Sequence, residues 1–402
     1  MKYLNFDFIK NNKIFTLVFL VKSGRRYETK SEYQYSHILE HMLTLKGSIN
    51  FPSVLIANQV IEKFGSIVFA STNLERTRFV LQGNIDYLNN NLEVFLDNIF
   101  NPLFAPDVFE KEKQIIIQEN KIRNKNKENV LIDKIMSLIF GENEIFSKEK
   151  EKLILKTKLK DIKNYYQKHY NPLKYTFFYS SSSQKNKKEV ELFLNKYLNP
   201  KNLSFKKQKL DLPRKINLNF KNQFIFEKNN TDVYSIFIYF LLPNISLKEA
   251  ICLDLIANFL SLGQSSLFYQ KLRFEKSLVY GISAFSNHKS DCSLFVIQTK
   301  TFNPKEVIKI IFNEIQNLKI NKDIFKDLKI QAQNLILRSF LNPINRISFL
   351  EYLWLKNERN LSVDLYFKIL NKININDINL LLKKINNSKT IIGLTGPKEI
   401  NI

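Results

Sequence analysis

The chain is short of several residue types, and each shortage excludes something. Only two cysteines, Cys252 and Cys292, occur in 402 residues. No disulfide framework can therefore hold the fold, and a reducing compartment is the expectation. Glycines number 9 and histidines 4, and no Gly-rich phosphate loop, zinc finger or aromatic RNA-binding motif is present. The N-terminal apolar run, Ile14 to Val21, has eight residues, too few to span a bilayer. It is followed by Lys22-Ser23-Gly24-Arg25-Arg26, with no small-x-small cleavage site, so it reads as a buried strand and not as a signal segment. A cytoplasmic protein that does not contact a membrane is expected.

Apolar residues make up 44% and charged residues 25% of the chain, which is the balance of a globular protein. The length suits two domains. The net charge of +23 invites a nucleic-acid reading. However, the basic residues are overwhelmingly lysine, spread along the whole chain beside abundant Asn and Ile, and no nucleic-acid partner is expected. Such a reading would rest on charge alone and would show a steep salt dependence of binding.

Hydrophobic periodicity gives strand, helix, strands and helices, and then the same order again. Strands are expected at Ile14–Val21, within Ile67–Gln82 and at Tyr175–Tyr179, and helices at Ser36–Leu45, Asp86–Ile99 and Asp107–Asn124. The second half echoes this with strands at Val233–Leu242, Gly281–Ala284, Ser293–Thr299 and Thr390–Leu394, and helices at Lys248–Leu260 and Asp323–Phe340. Asp107-Val108-Phe109 lies on Asp323-Ile324-Phe325 at an offset of 323 − 107 = 216, which also places Tyr175 against Ile391. Two tandem copies of one α+β unit follow. Each should be an antiparallel-rich sheet with helices on one face. The expected division is a metal-binding domain at 1–200, a polar, Lys-rich linker at 201–213 and a homologous second domain at 214–402.

The sharpest local signal is His37-Ile38-Leu39-Glu40-His41. On a helix, positions i and i+4 share a face, so both imidazoles can reach one metal ion. Glu40 projects close to that face. A hydrolytic zinc site needs three protein ligands and an open position for water, and a nearby carboxylate can take the proton of that water. Taken alone, the pentapeptide fits two helical surface histidines equally well. Three features favour the metal. Two of the chain's four histidines are here. Ile38, Leu39, Met42 and Leu43 half-bury the helix. A third ligand is available on the helix Asp107–Asn124, where Glu112 and Glu119, seven residues apart, share a face. Glu119 follows Ile115-Ile116-Ile117, a stretch expected to be buried, and a buried carboxylate needs a partner. Glu119 is thus the third zinc ligand, Glu40 the general base and Glu112 an acceptor that orients an imidazole. Adding 216 to 37, 40, 41 and 119 lands on Leu253, Ile256, Ala257 and Leu335. The second copy is apolar at those positions, which points to chemistry in the first.

With these residues in place, the chain resembles the insulinase and pitrilysin family of zinc peptidases, in particular its short branch containing the mitochondrial processing peptidase. HILEH at 37–41, QEN around Glu119, GSIVFASTNLERTRF at 65–79, HYNPLKYTFF at 169–178 and GQSSLFYQKLRFEKSLVYG at 263–281 carry the resemblance. The resemblance implies two similar α+β domains per chain, and four such domains closing as a clamshell. The chain should then form a homodimer, or a heterodimer with a second chain of the family. It implies peptide substrates added as a strand to a sheet edge, the edge being Phe69, Ala70, Ser71 and Thr72. It also gives Arg273 and Tyr280 a role in binding substrate and steadying the charged tetrahedral intermediate. Where the family has Gly before the first His, this chain has Gln34. Phe69 replaces its edge-strand Asn, Leu267 its Arg, and Ser277 its Gly before Leu-x-Tyr. The function expected is a zinc endopeptidase acting on small or unfolded peptides. The alternative is a peptide-binding or maturation partner subunit in which cleavage is vestigial. His169 and His288 are assigned no metal.

Overall fold

A computed structural model describes residues 4–10, 12–141, 147–172, 174–198, 213–358 and 360–401. The expected linker 201–213 lies outside these residues except for Pro213.

The chain forms two compact units. The first comprises 1–121, 145–214 and 343–351, and the second 122–144, 215–342 and 352–402. Relative to a division at the linker, two segments thus belong to the opposite unit. These are 122–144, which carries the helix Lys127–Phe140, and 343–351, most of the helix Pro343–Leu355.

The first unit holds a five-stranded sheet in the order β1-β5-β2-β4-β3. Its strands are β1 (Leu4–Phe8), β2 (Ile14–Val21), β3 (Ile67–Thr72), β4 (Thr77–Asn84) and β5 (Tyr175–Ser181). Only the β1–β5 pair is parallel. Phe15, Leu17, Phe19, Val21, Phe79, Leu81 and Phe177 form one core with the helices packed on that face. The opposite residues Val18, Leu20, Val80 and Phe178 are buried as well. On that side the segment 343–351 is pinned by Arg346 to Asp7 at 2.6 Å and by the buried Glu351 to Arg76 at 2.9 Å. With both faces covered, β2 has no reason to alternate, and its sequence is one continuous apolar run.

The second unit repeats this topology with the order β6-β10-β7-β9-β8. Its strands are β6 (Gln223–Lys228), β7 (Tyr234–Pro243), β8 (Ile282–His288), β9 (Cys292–Thr301) and β10 (Lys389–Gly396). The helix Lys127–Phe140 lies against β6 and β10. It comes so close that a Cβ at Gly393 would stand 2.7 Å from Ile135 Cδ1.

The repeat has no single offset. The hairpin pairs Thr72↔Thr77 and His288↔Ser293 keep 288 − 72 = 216. Val21 opposite Thr77 and Leu242 opposite Ser293 give 242 − 21 = 221. Thr176 opposite Leu20 and Lys389 opposite Leu241 give 389 − 176 = 213. The alignment of Tyr175 with Ile391 is corrected accordingly, because connections of unequal length shift the copies between strands.

Candidate metal centre

The motif helix runs from Tyr35 to Leu43 and buries Ile38, Leu39, Met42 and Leu43. Its N-terminus is anchored by Glu28. The Gln34 N–H donates to Glu28 Oε2 at 3.1 Å, and the Ser36 N–H and Oγ donate to Oε1 at 2.8 and 2.5 Å. These satisfy donors that the start of a helix otherwise leaves unpaired. Burial pushes the Glu28 carboxyl up to about 7, against the opposing bonds from Ser36 and Gln34.

The imidazoles of His37 and His41 project from one face, their Nε2 atoms 3.2 Å apart. His41 Nδ1 donates to Glu112 Oε2 at 2.8 Å, and His37 Nδ1 donates to Gln34 Oε1 at 2.8 Å. Carboxylate and amide oxygens only accept, so each Nδ1 carries the proton and each Nε2 keeps its lone pair. Burial, with help from His41, pushes His37 down to about 4, which keeps it neutral. Two converging lone pairs at this distance suit one cation. Ligands about 2.0–2.1 Å from a tetrahedral zinc stand about 3.3 Å apart.

Glu119 Oε2 lies 3.7 Å from His37 Nε2 and 3.8 Å from His41 Nε2. Its side chain is 49% exposed, so the expected burial of Glu119 is corrected. The helix Pro106–Lys125 buries Phe109, Glu112, Lys113, Ile116 and Ile117. Its 3.6-residue period turns Ile115 and, four residues on, Glu119 outward. What speaks for Glu119 is therefore its distance to both imidazoles and not burial. His37, Glu40 and His41 can bring one ligand atom each within 4.8 Å of one another. Among the described residues no other group of three His, Cys, Asp or Glu side chains is this close. Burial raises the Glu40 carboxyl, a hydrogen bond from Thr72 and the His41 charge oppose it, and Glu119 adds to the rise.

Two models of one family match the chain. "Insulinase (Peptidase family M16)" covers residues 9–151 and "Peptidase M16 inactive domain" covers 156–332. The chain belongs to the insulinase family. An uncharacterized zinc protease of Rickettsia felis is 22% identical over 95% of this chain and 92% of its own. The zinc protease PqqE of Helicobacter pylori is 23% identical over 69% of this chain, which spans 62% of that protein. Among solved structures, a protease from Helicobacter pylori superposes with a TM-score of 0.84 at 17% identity, covering 98% of this chain and 97% of that one. A peptidase M16 inactive domain from Pseudomonas fluorescens gives a TM-score of 0.82 at 14% identity, covering 99% and 96%. These likenesses fix the fold as the two-unit α+β architecture of insulinase-family peptidases.

The remaining predicted residues fall as follows. β3 is the edge strand of its sheet. Val68 and Ala70 pack on the core, and Thr72 Oγ1 reaches Ser36 O at 3.5 Å. Phe69 and Ser71 alternate to the opposite face, where Ser71 Oγ accepts from Arg78 Nε at 3.0 Å. In the second unit Arg273 sits in a π-helical turn, Tyr269–Phe274, with its guanidinium 4.8 Å from the Tyr280 ring, and Tyr280 is 86% exposed. His169 is buried and stacks on Tyr165. His288 ends β8, bonded to Ser293 Oγ at 2.7 Å and Asp254 at 3.2 Å.

Sequence reasoning missed three contributors. Gln34 holds His37, and its i,i+3 spacing was a usable signal. Lys46 pairs with Glu112 at 2.6 Å, and Glu28 anchors the helix; neither carries a signal in the sequence. Gln34 and Ser277 stand where the family has glycine, and both adopt positive φ, 68° and 53°. That is the backbone region in which glycine is the ordinary occupant.

Proposed function

We propose that this chain is a zinc-dependent endopeptidase with His37, His41 and Glu119 as metal ligands and Glu40 as general base. The observation that carries the reading is the pair of Nε2 atoms 3.2 Å apart, each imidazole anchored through its Nδ1 proton. The donor set of two imidazoles and a carboxylate suits a hydrolytic zinc ion, with one position left for water. When bound, zinc acts as a Lewis acid that brings the pKa of a water molecule to about 7. Glu40 takes the proton from the attacking water and passes it to the leaving amine. Burial raises its pKa, which favours a carboxylate that can hold a proton between the two transfers. Lys46 and Glu112 hold His41 in place, and β3 offers an unpaired edge on which an extended peptide can add as a strand.

The "inactive domain" match begins at residue 156, beyond all four residues of the centre. That match does not touch the centre, whereas the Pseudomonas fluorescens inactive-domain structure covers 99% of this chain and keeps the partner-subunit reading as the alternative. The family relation supports a role for Arg273 and Tyr280 in holding substrate. It also supports pairing of two chains, in which each site would draw its metal group from one chain and Arg273 and Tyr280 from the other.

The test uses purified full-length protein. It should carry about one zinc per chain, and His41→Ala should lose most of it. Glu40→Gln should keep the zinc yet lose cleavage of a mixed peptide library by a factor on the order of 10² or more. Full zinc retention by His41→Ala would sink the ligand set, and an active Glu40→Gln protein would sink the base.

A further inference from the structure

Gln34 combines an unfavourable backbone with a contact to the centre. It precedes the motif helix at φ 68° and ψ 10°, a left-handed conformation that a side chain with a Cβ resists and glycine does not. Its backbone has two tasks. The N–H donates to Glu28 Oε2 at 3.1 Å, and the carbonyl accepts from the Ile38 N–H at 2.8 Å. A glycine would perform both without strain. What a glycine could not do is supply the acceptor for His37 Nδ1, which the Gln34 Oε1 provides at 2.8 Å. The amide nitrogen makes only a long contact, 3.4 Å to the Tyr33 hydroxyl.

We infer that Gln34 is a positioning residue for His37. Its amide oxygen fixes the Nδ1–H tautomer and the ring plane, so that the Nε2 lone pair points where the Nε2 of His41 points. The inference rests on reading the trio as a zinc site. It makes the two imidazoles unequal in their support. His41 is held by Glu112, a buried carboxylate itself braced by Lys46. His37 is held by one neutral amide from the residue at the start of its own helix. A partner of this kind typically changes metal affinity by about 10–100-fold, and a neutral one belongs at the lower end.

The test compares wild type, Gln34→Gly and Gln34→Ala as full-length proteins. The readouts are zinc affinity, by competition with a chelator at fixed pH, and the thermal midpoint of the zinc-free protein. Gln34→Gly should raise the midpoint because the strain is relieved, yet weaken zinc about tenfold because the acceptor is gone. Gln34→Ala keeps the strain and should weaken zinc by a similar factor without raising the midpoint. A merely structural role would move midpoint and affinity in the same direction in the Gly variant. If both variants hold zinc within about twofold of wild type, the inference is overturned while the zinc reading stands. If wild type itself binds no zinc, the reading falls and the inference falls with it.

Discussion

Replacing Glu112 with glutamine removes a charge from the centre while keeping the shape of a side chain only 5% exposed. Its Oε2 accepts from His41 Nδ1 at 2.8 Å and its Oε1 from Lys46 Nζ at 2.6 Å. An amide has one oxygen to offer, so one of the two donors would face an NH2 group. Hydrogen bonds to a charged group are worth about 1.5–3 kcal/mol. Lys46 is 30% exposed and can turn to water, which places the expected loss in the zinc-free protein near the low end, about 1.5 kcal/mol. Zinc affinity should fall about tenfold, since the His41 ring loses its carboxylate partner or shares a weaker one. The pH dependence follows from the direction of the shift. Burial pushes Glu112 up, but bonds from His41 and Lys46 outweigh it and hold the carboxyl below its ordinary 4.5. A carboxyl depressed in the folded state contributes stability that is present above the unfolded value and lost as pH falls through the folded one. Urea denaturation of the zinc-free proteins should therefore show a constant gap between wild type and variant above about pH 5, closing at lower pH. Equal zinc affinity, together with no gap at pH 7 or one that widens in acid, would refute the role given to Glu112.

Other perturbations probe different parts of the argument. Glu28 is raised to about 7 by burial, so its stabilising contribution is fully present below 4.5 and lost as pH rises through the folded value. The stability of wild type relative to Glu28→Gln should decline between pH 5 and 8 in denaturation scans, and a rise over that range would contradict it. Glu351 is fully buried beside Arg76 and Arg78, which are about one-fifth exposed, and burial raises its pKa in spite of both. Glu351→Ala should cost about 3 kcal/mol, the lower end for breaking a buried pair, and a loss in urea midpoint equivalent to less than about 1 kcal/mol would count against the pinning of 343–351. If sites are shared between chains, mixing equal amounts of Glu40→Gln and Tyr280→Phe proteins should restore roughly a quarter of wild-type activity, because half the re-paired dimers carry one intact site of two. No recovery after confirmed exchange would rule out sharing.

The parts that were legible in the sequence are those governed by a local period. His37 and His41 fall on one helical face because four residues make little more than one turn, and the same rule placed Glu112 and Glu119 together. β2 was legible from its apolar run, but its sequence did not say what covers the second face. That cover is the distant segment 343–351, and the corresponding cover of the second sheet is Lys127–Phe140. No local pattern encodes a contact between residues 339 positions apart, as Arg346 and Asp7 are. Glu119 shows the limit from another side. Three consecutive isoleucines suggested burial, yet at 100° per residue a helix cannot bury three in a row against one surface, and Ile115 is 40% exposed. Gln34 read as a departure from the family; its i,i+3 spacing to His37 was a usable signal, but its left-handed backbone was not legible.

The second copy shows that the sheet order alone does not require the centre. In the second unit the helix Leu247–Ser261 takes the place of the motif helix, and it buries Cys252, Leu253, Leu255, Ile256 and Ala257. Its polar contacts with the neighbouring edge strand include Asp254 with Ser286 and His288, and Ser261 with the Ala284 backbone. Among the described residues, the same sheet order is thus built without a trio of metal-binding side chains. In the first unit the fold accepts opposed costs at the equivalent place. Burial raises the Glu40 carboxyl, and burial lowers His37. Each shift has the direction that burial imposes by disfavouring the charged form. Gln34 adds a left-handed backbone. The second copy holds the same sheet order with a different set of contacts between the helix Leu247–Ser261 and its edge strand. Ionisable groups held together against their own solvation are what a functional site requires, and His37, Glu40 and His41, with ligand atoms within 4.8 Å of one another, support the proposed zinc site on that ground.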